Sequence, residues 1–131
     1  MQGRIEQSTE TISERLRGAA ESSPEEYTEL LAELWAEEVT ATHDPPSPED
    51  GVRDRERMNE LNRAATAGLR ARMPDLSYRN INFSVSGNEI ELTAEIHGTS
   101  QDGNETSIPL HWVYTVKDGS ILAINSVVLQ R

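Results

Sequence analysis

The spacing of apolar residues along the chain changes once, near Ser77. Before that point they recur every three or four residues, as in amphipathic helices. After it they alternate with polar residues, as in half-buried strands. Ile5, Ile12, Leu16 and Ala19/Ala20 predict a first helix that emerges at Thr9, after a polar, loose start over residues 1–8. Gly18 and Ser22-Ser23 weaken its end. Ser23-Pro24-Glu25-Glu26 then starts a second helix, with serine as N-cap, proline in the first position and acids in the first turn. Tyr27, Leu30, Leu31, Leu34 and Trp35 form its apolar stripe, with Val39 beyond. Residues 39–42 read as a short β-like stretch. The following segment, His43-Asp44-Pro45-Pro46-Ser47-Pro48-Glu49-Asp50-Gly51, is a loop stiffened by three prolines. A third helix is predicted over about 53–72. Met58, Leu61, Ala65, Leu69 and Met73 form its inner stripe, Arg53, Arg57, Arg63 and Arg70 lie outside it, and Pro74 ends it.

The second half predicts four antiparallel strands, at Ser77–Ser86, Glu89–Thr99, 106–117 and 120–130. Ile81, Phe83 and Val85 share the inner face of the first, and Ile90, Leu92, Ala94 and Ile96 that of the second. Leu110, Trp112, Tyr114 and Val116 do so in the third. Asp118-Gly119 joins the last two strands as a type I′ turn. The fourth strand is apolar on both faces, with Leu122, Ile124 and Val128 on one and Ile121, Val127 and Leu129 on the other. Two-sided apolar character points to a homodimer through the outer face of the sheet. A sheet of this size needs helices on its apolar face. The expected fold is therefore an α+β cone, with three N-terminal helices packed on a curved four-strand meander. Its open mouth suits an apolar small molecule.

Composition narrows the function. The 131 residues make a single domain, 1–131. They carry 23 acidic and 12 basic residues, a net charge of −11, which argues against nucleic-acid and anionic-membrane partners. Lys117 is the only lysine, a trait of high-GC or salt-adapted sources. No cysteine is present, which excludes disulfides, thiolate metal sites and a cysteine nucleophile. No apolar run has the length of a membrane span, and the N-terminus lacks an apolar signal core, so a cytoplasmic location is the expectation. His43, His97 and His111 are scattered without ligand spacing, so neither a metal nor another cofactor is expected.

Three stretches together carry a resemblance: Leu34-Trp35-Ala36-Glu37-Glu38-Val39 with His43-Asp44-Pro45; Met73-Pro74-Asp75-Leu76 with Ser86-Gly87-Asn88-Glu89-Ile90 and Gly98-Thr99; and 113–121. Their order resembles SnoaL-like domains, the polyketide-cyclase-like and ketosteroid-isomerase-like branch of the nuclear transport factor 2-like superfamily. The resemblance implies a cystatin-like cone and places Asp44, in an Asp-Pro pair, where ketosteroid-isomerase-like members hold a general base. Where that branch carries an oxyanion-binding acid on the third meander strand, this chain has Trp112. Where the cyclases tend to have a histidine after Gly-Thr, it has Ser100.

Asp44 is thus the candidate base for proton transfer next to a carbonyl, with Tyr114 or Trp112 as hydrogen-bond donor. Asp44 also fits a simple turn before Pro45. His43 is its neighbour, and adjacent side chains of an extended segment point to opposite sides, so at most one of the two enters the pocket. Trp35, Met58, Asn62, Phe83 and Trp112 complete the candidate ligand-binding set with His43, and core packing competes with that role for the aromatics. His97 and His111 are expected on the outer, polar face. Two classes follow, an isomerase-, cyclase- or hydrolase-type enzyme and a non-catalytic binding or interaction domain.

Overall fold

The computed structural model describes residues 2–127, and side chains from residue 9. Helices α1 (Gln2–Ser22) and α2 (Pro24–Leu34) are followed by strands β1 (Trp35–Asp44) and β2 (Gly51–Asp54), then helix α3 (Arg55–Arg72). The meander β3 (Ser77–Ser86), β4 (Glu89–Thr99), β5 (Glu105–Lys117) and β6 (Ser120–Val127) completes the described residues. Helix α1 begins before Thr9, where the periodicity places its start. Val128 and Leu129, assigned above to the fourth meander strand, lie outside the described residues.

The sheet has six strands, not four, in the order β2-β1-β6-β5-β4-β3. The two additional strands come from the first half. The β-like stretch at 39–42 extends back to Trp35, and the end of the proline-rich loop folds back as β2. Leu34 ends α2, and Trp35 opens a strand instead of closing a helix. The sheet is also mixed: β1 runs parallel to β6, while the other pairs are antiparallel.

Local chemistry explains the boundaries. Ser23 Oγ accepts from the Glu26 amide at 3.0 Å, the N-cap of α2. Asp54 Oδ1 accepts from the Arg57 amide at 2.7 Å and caps α3, which is why Arg53 falls in β2 and not in the helix. Asp118 and Gly119 both have positive φ, 52° and 81°, as a type I′ turn requires.

One face of the sheet carries the core. Ile12, Leu16 and Ala20 of α1, Tyr27, Leu31 and Leu34 of α2, and Met58 of α3 cluster on Val39, Ile90, Leu92, Leu110, Tyr114, Val116 and Ile121. The expected faces hold through β4 and β5. In β6 they do not. Val116 pairs with Ile121 and Thr115 with Ala123, so Leu122 is an extra, bulged residue. The bulge puts Ile121 and Ile124 on the core face together, where strict alternation separates them.

The exit of α3 is latched to the end of β4. Asp75 accepts from the Thr99 amide at 2.7 Å and from its hydroxyl at 2.8 Å. Met73 lies flat against Gly98, where a Cβ would stand 2.7 Å from Met73 Cβ. That atom is next to the backbone and cannot swing aside. Gly98→Ala is therefore expected to destabilise the fold by about 1–3 kcal/mol through overpacking. A chemical-denaturation midpoint equal to wild type would contradict this.

The Thr99 bonds hold the Asp75 carboxyl below its ordinary value of 3.8. A depressed folded value adds stability above the unfolded one, and that stability is lost as pH falls through the folded value. The stability gap between wild type and Asp75→Asn should be full above about pH 4 and shrink progressively below it. Denaturation curves at neutral and acid pH measure it, and a pH-independent gap would refute the assignment.

Candidate functional site

Apart from Met58, the apolar stripe within α3 does not join the core. Among residues Arg55–Arg72 only Met58 is buried, and Leu61 remains 36% exposed. The helix leans on α2, β1 and β2 and stands away from the central strands. The space beneath it is a cleft of about 760 Å³. Met58, Leu61, Ala65 and Leu69 form its roof, Leu31, Ile96 and Ile124 line it deeper, and Tyr27, Tyr78 and Trp112 make an aromatic wall. Tyr27 meets Tyr78 edge-on at 5.7 Å and stacks on Trp112 at 6.3 Å.

Two hydroxyl pairs give this wall polar points. Tyr27 and Tyr114 share a hydrogen bond of 2.7 Å between their phenol oxygens. Burial pushes both phenols up, Tyr114 well above the ordinary tyrosine value, so both stay protonated. Tyr78 is pushed up to about 12 by the same cause. Thr28 Oγ1 donates its one hydrogen to the Pro24 carbonyl at 2.9 Å, so it accepts from Thr66 Oγ1 at 2.8 Å.

Strand parity decides which residue of the His43-Asp44 pair reaches the cleft. In the β1–β6 register Ala41 lies beside Ile124, His43 beside Ser126, and Asp44 beside Val127. Ala41, Ile124, His43 and Ser126 all line the cleft. Asp44, one residue on, takes the opposite face and is exposed, so the residue expected as base is not part of the cleft wall.

His43 is held from behind. Its Nδ1 lies 2.7 Å from Asp50 Oδ1, and Asp50 Oδ2 accepts from the Ser47 amide at 3.2 Å. The bond from His43 is the main cause that lowers the Asp50 carboxyl below its ordinary value. A carboxylate at Nδ1 fixes the neutral ring as the Nδ1–H tautomer and leaves Nε2 as the free acceptor. The proline-rich loop thus positions the histidine.

Of the residues singled out from the sequence, His43, Met58, Asn62 and Trp112 line the cleft. Trp35 and Phe83 do not. Trp35 is 1% exposed and packs in the core against Tyr114, and its indole N–H has no partner among the described residues. Phe83 packs at the edge of the core on β3, beyond the reach of α3. Tyr114 is sealed behind Tyr27 and acts on the cleft only through that hydroxyl. Sequence reasoning missed Asp50, Tyr78 and the two arginines Arg53 and Arg57, which line the cleft although the helical stripe excludes them. The DPPSPED run signals a positioned carboxylate only when its distance to His43 is known. His97 is buried, not solvated, near Glu105 at 3.8 Å, while His111 pairs with Glu91 at 2.9 Å on the outer face. Among the described residues no cluster of His, Asp and Glu is arranged to hold a metal ion. No described helix is long and apolar enough to cross a membrane.

The profile of the SnoaL-like domain matches residues 25–124, and the chain belongs to that family. Among solved structures it is similar to a proposed SnoaL-like polyketide cyclase from Jannaschia Sp. CCS1, with 17% identity and a TM-score of 0.64 over 93% of this chain and 85% of that one. A proposed hydroxylase from Streptomyces galilaeus gives 15% identity and a TM-score of 0.68, covering 96% of this chain and 92% of that one. A nuclear transport factor 2-like protein of unknown function from Cytophaga hutchinsonii ATCC 33406 gives 11% identity and a TM-score of 0.65, covering 95% and 99%. At such identities the likeness establishes the fold and leaves the chemistry to the site. No curated protein matches the chain in sequence.

Proposed function

We propose that the cleft binds an apolar, ring-bearing carbonyl compound and that His43 removes a proton next to the carbonyl. The observation that carries this reading is the 2.7 Å contact between His43 Nδ1 and Asp50 at the wall of a largely apolar cleft. Asp50 fixes the tautomer and stabilises the imidazolium that forms, and Nε2 takes the proton. Tyr27 is the hydrogen-bond donor to the enolate oxygen. Tyr114 donates to Tyr27 and frees the Tyr27 hydrogen for the ligand, so Tyr114 is a positioning residue. Asp44, on the outer face, has no part in the step.

The test is hydrogen–deuterium exchange at the α-carbon of 2-tetralone in D2O, followed by proton NMR. The protein should accelerate exchange, and His43→Gln should remove about 10²–10⁴-fold of the rate while binding persists. Asp50→Asn should fall between the two, and Asp44→Asn should match wild type. Equal rates for His43→Gln and wild type would reject His43 as the base. Binding without any acceleration would favour the non-catalytic alternative, a carrier or sensor with the same cleft.

We also propose that the protein pairs with a second copy through the outer sheet face. There Val52, Thr40, Ala123 and Thr115 lie side by side, as do Thr42, Asn125 and Val113 in the next row. Val52 is 61% exposed, and these seven residues carry no charge, unlike neighbouring Glu89, Glu91 and Glu95 on β4. Light scattering should find a dimer that Ala123→Arg converts to a monomer. A wild-type monomer at all protein and salt concentrations would overturn this.

A further inference from the structure

The cleft has one electrostatic feature that proton abstraction does not require. Among the side chains that line it, the fixed charges are Arg53, Arg57 and Glu49. The remainder of the lining is apolar, aromatic, amide, hydroxyl or imidazole. The molecule as a whole has a net charge of −11, so its general field repels anions. Two guanidinium groups at the wall of an apolar cleft therefore stand against the background charge of the protein.

Their placement is specific. Arg53 lies opposite Val39 in the β1–β2 pair, and Val39 belongs to the core, so Arg53 stands on the concave face with Ala41 and His43. Its Nη2 donates to the backbone carbonyl of Glu49, one residue before the Asp50 that holds His43. Arg53 and His43 are thus tied to the same short segment of the proline-rich loop, at the same end of the cleft. Arg57 sits in the first turn of α3, and its guanidinium pairs with Glu60 at 3.2 Å, where both side chains are more than half exposed. Exposed pairs of this kind contribute little and exchange readily. Arg57 can turn toward a ligand anion at small cost.

Resting on the reading of the cleft as a binding site for a ring-bearing carbonyl compound, we propose that its substrates are organic acids, with an apolar ring system in the aromatic wall and a carboxylate held by Arg53 and Arg57 at the His43 end. Guanidinium groups suit this role because their forked donors match a carboxylate geometrically. The carboxylate end of the substrate then lies beside the base, and the acidic carbon lies close to the acid group. The arginines also stabilise the negative charge that builds up when that carbon loses its proton to Nε2. Glu49 disfavours a second anionic group at the same end, so the class is monoacids.

The experiment uses two ligands of one shape, 2-naphthoate and 2-naphthamide, titrated into the intact protein and followed through the Trp112 indole signal by NMR. The naphthoate should bind about tenfold tighter than the amide, as a charge-assisted pair replaces a neutral one. Its advantage should disappear in the Arg53→Gln, Arg57→Gln double variant, while the amide keeps its affinity. A test on the unaltered protein runs in parallel. Raising salt from about 0.01 M to about 1 M shortens the screening length from about 30 Å to about 3 Å, and should weaken the naphthoate only. If both ligands bind equally in wild type, or neither arginine variant nor salt alters their ratio, the acid proposal falls and the apolar cleft stands. If neither ligand binds, the cleft reading falls and the acid proposal falls with it.

Discussion

The parallel pairing of β1 with β6 is the interaction on which the rest of the molecule depends. It joins a strand from the helical half of the chain to the last strand of the meander, and so turns a four-strand sheet into a six-strand one. It also fixes parity. His43 lies beside Ser126 on the concave side, and Asp44 lies beside Val127 on the convex side. A slip of one residue in this register would exchange the two, because side chains alternate strictly between faces. The loop that follows β1 can then bring Asp50 back onto His43, since β2 returns antiparallel beside β1.

The cleft exists because α3 is held at a distance. Its contacts are lateral. Arg63 makes a two-pronged pair with Glu29 at 2.9 Å, Arg70 grips Glu25 at 2.6 and 2.8 Å, and Thr66 meets Thr28 between them. These tie the helix to α2, and Met73 and Asp75 anchor its exit. Exposed ion pairs contribute about 0–1 kcal/mol each. With so little of it buried, α3 is the helix whose local opening costs least. An apolar ligand would supply the contacts that Leu61, Ala65 and Leu69 lack.

The chemistry of the wall follows from burial. Phenols removed from water lose their acidity, so Tyr27, Tyr78 and Tyr114 act as neutral donors over the whole physiological range. The one imidazole at the wall is backed by a carboxylate outside the apolar part of the cleft. In the proposed reaction the two would have separate tasks: the neutral donors would stabilise developing charge on the carbonyl oxygen, and the carboxylate-backed imidazole would take the proton from carbon.

Much of the architecture was legible in the chain itself. The change of hydrophobic period at Ser77, the Ser23-Pro24 start of α2, the turn at Asp118-Gly119 and the inward faces of β4 and β5 are local properties, set by backbone chemistry within a few residues. Met58, Asn62 and Trp112 reach the cleft for the same reason, being on faces that short-range periodicity defines. Other features needed tertiary structure. The helical stripe misassigned Arg53 because the Asp54 cap starts α3 later, and alternation misread Ile121 because of the bulge at Leu122. The choice of His43 over Asp44 depends on a register with a strand some 80 residues away, and the distance to Asp50 depends on how a proline-rich loop closes. The sequence alone determined which groups were on hand for acid–base work; the pairing of β1 with β6 decided which one faces the cleft, because adjacent side chains of a strand always point to opposite sides of the sheet.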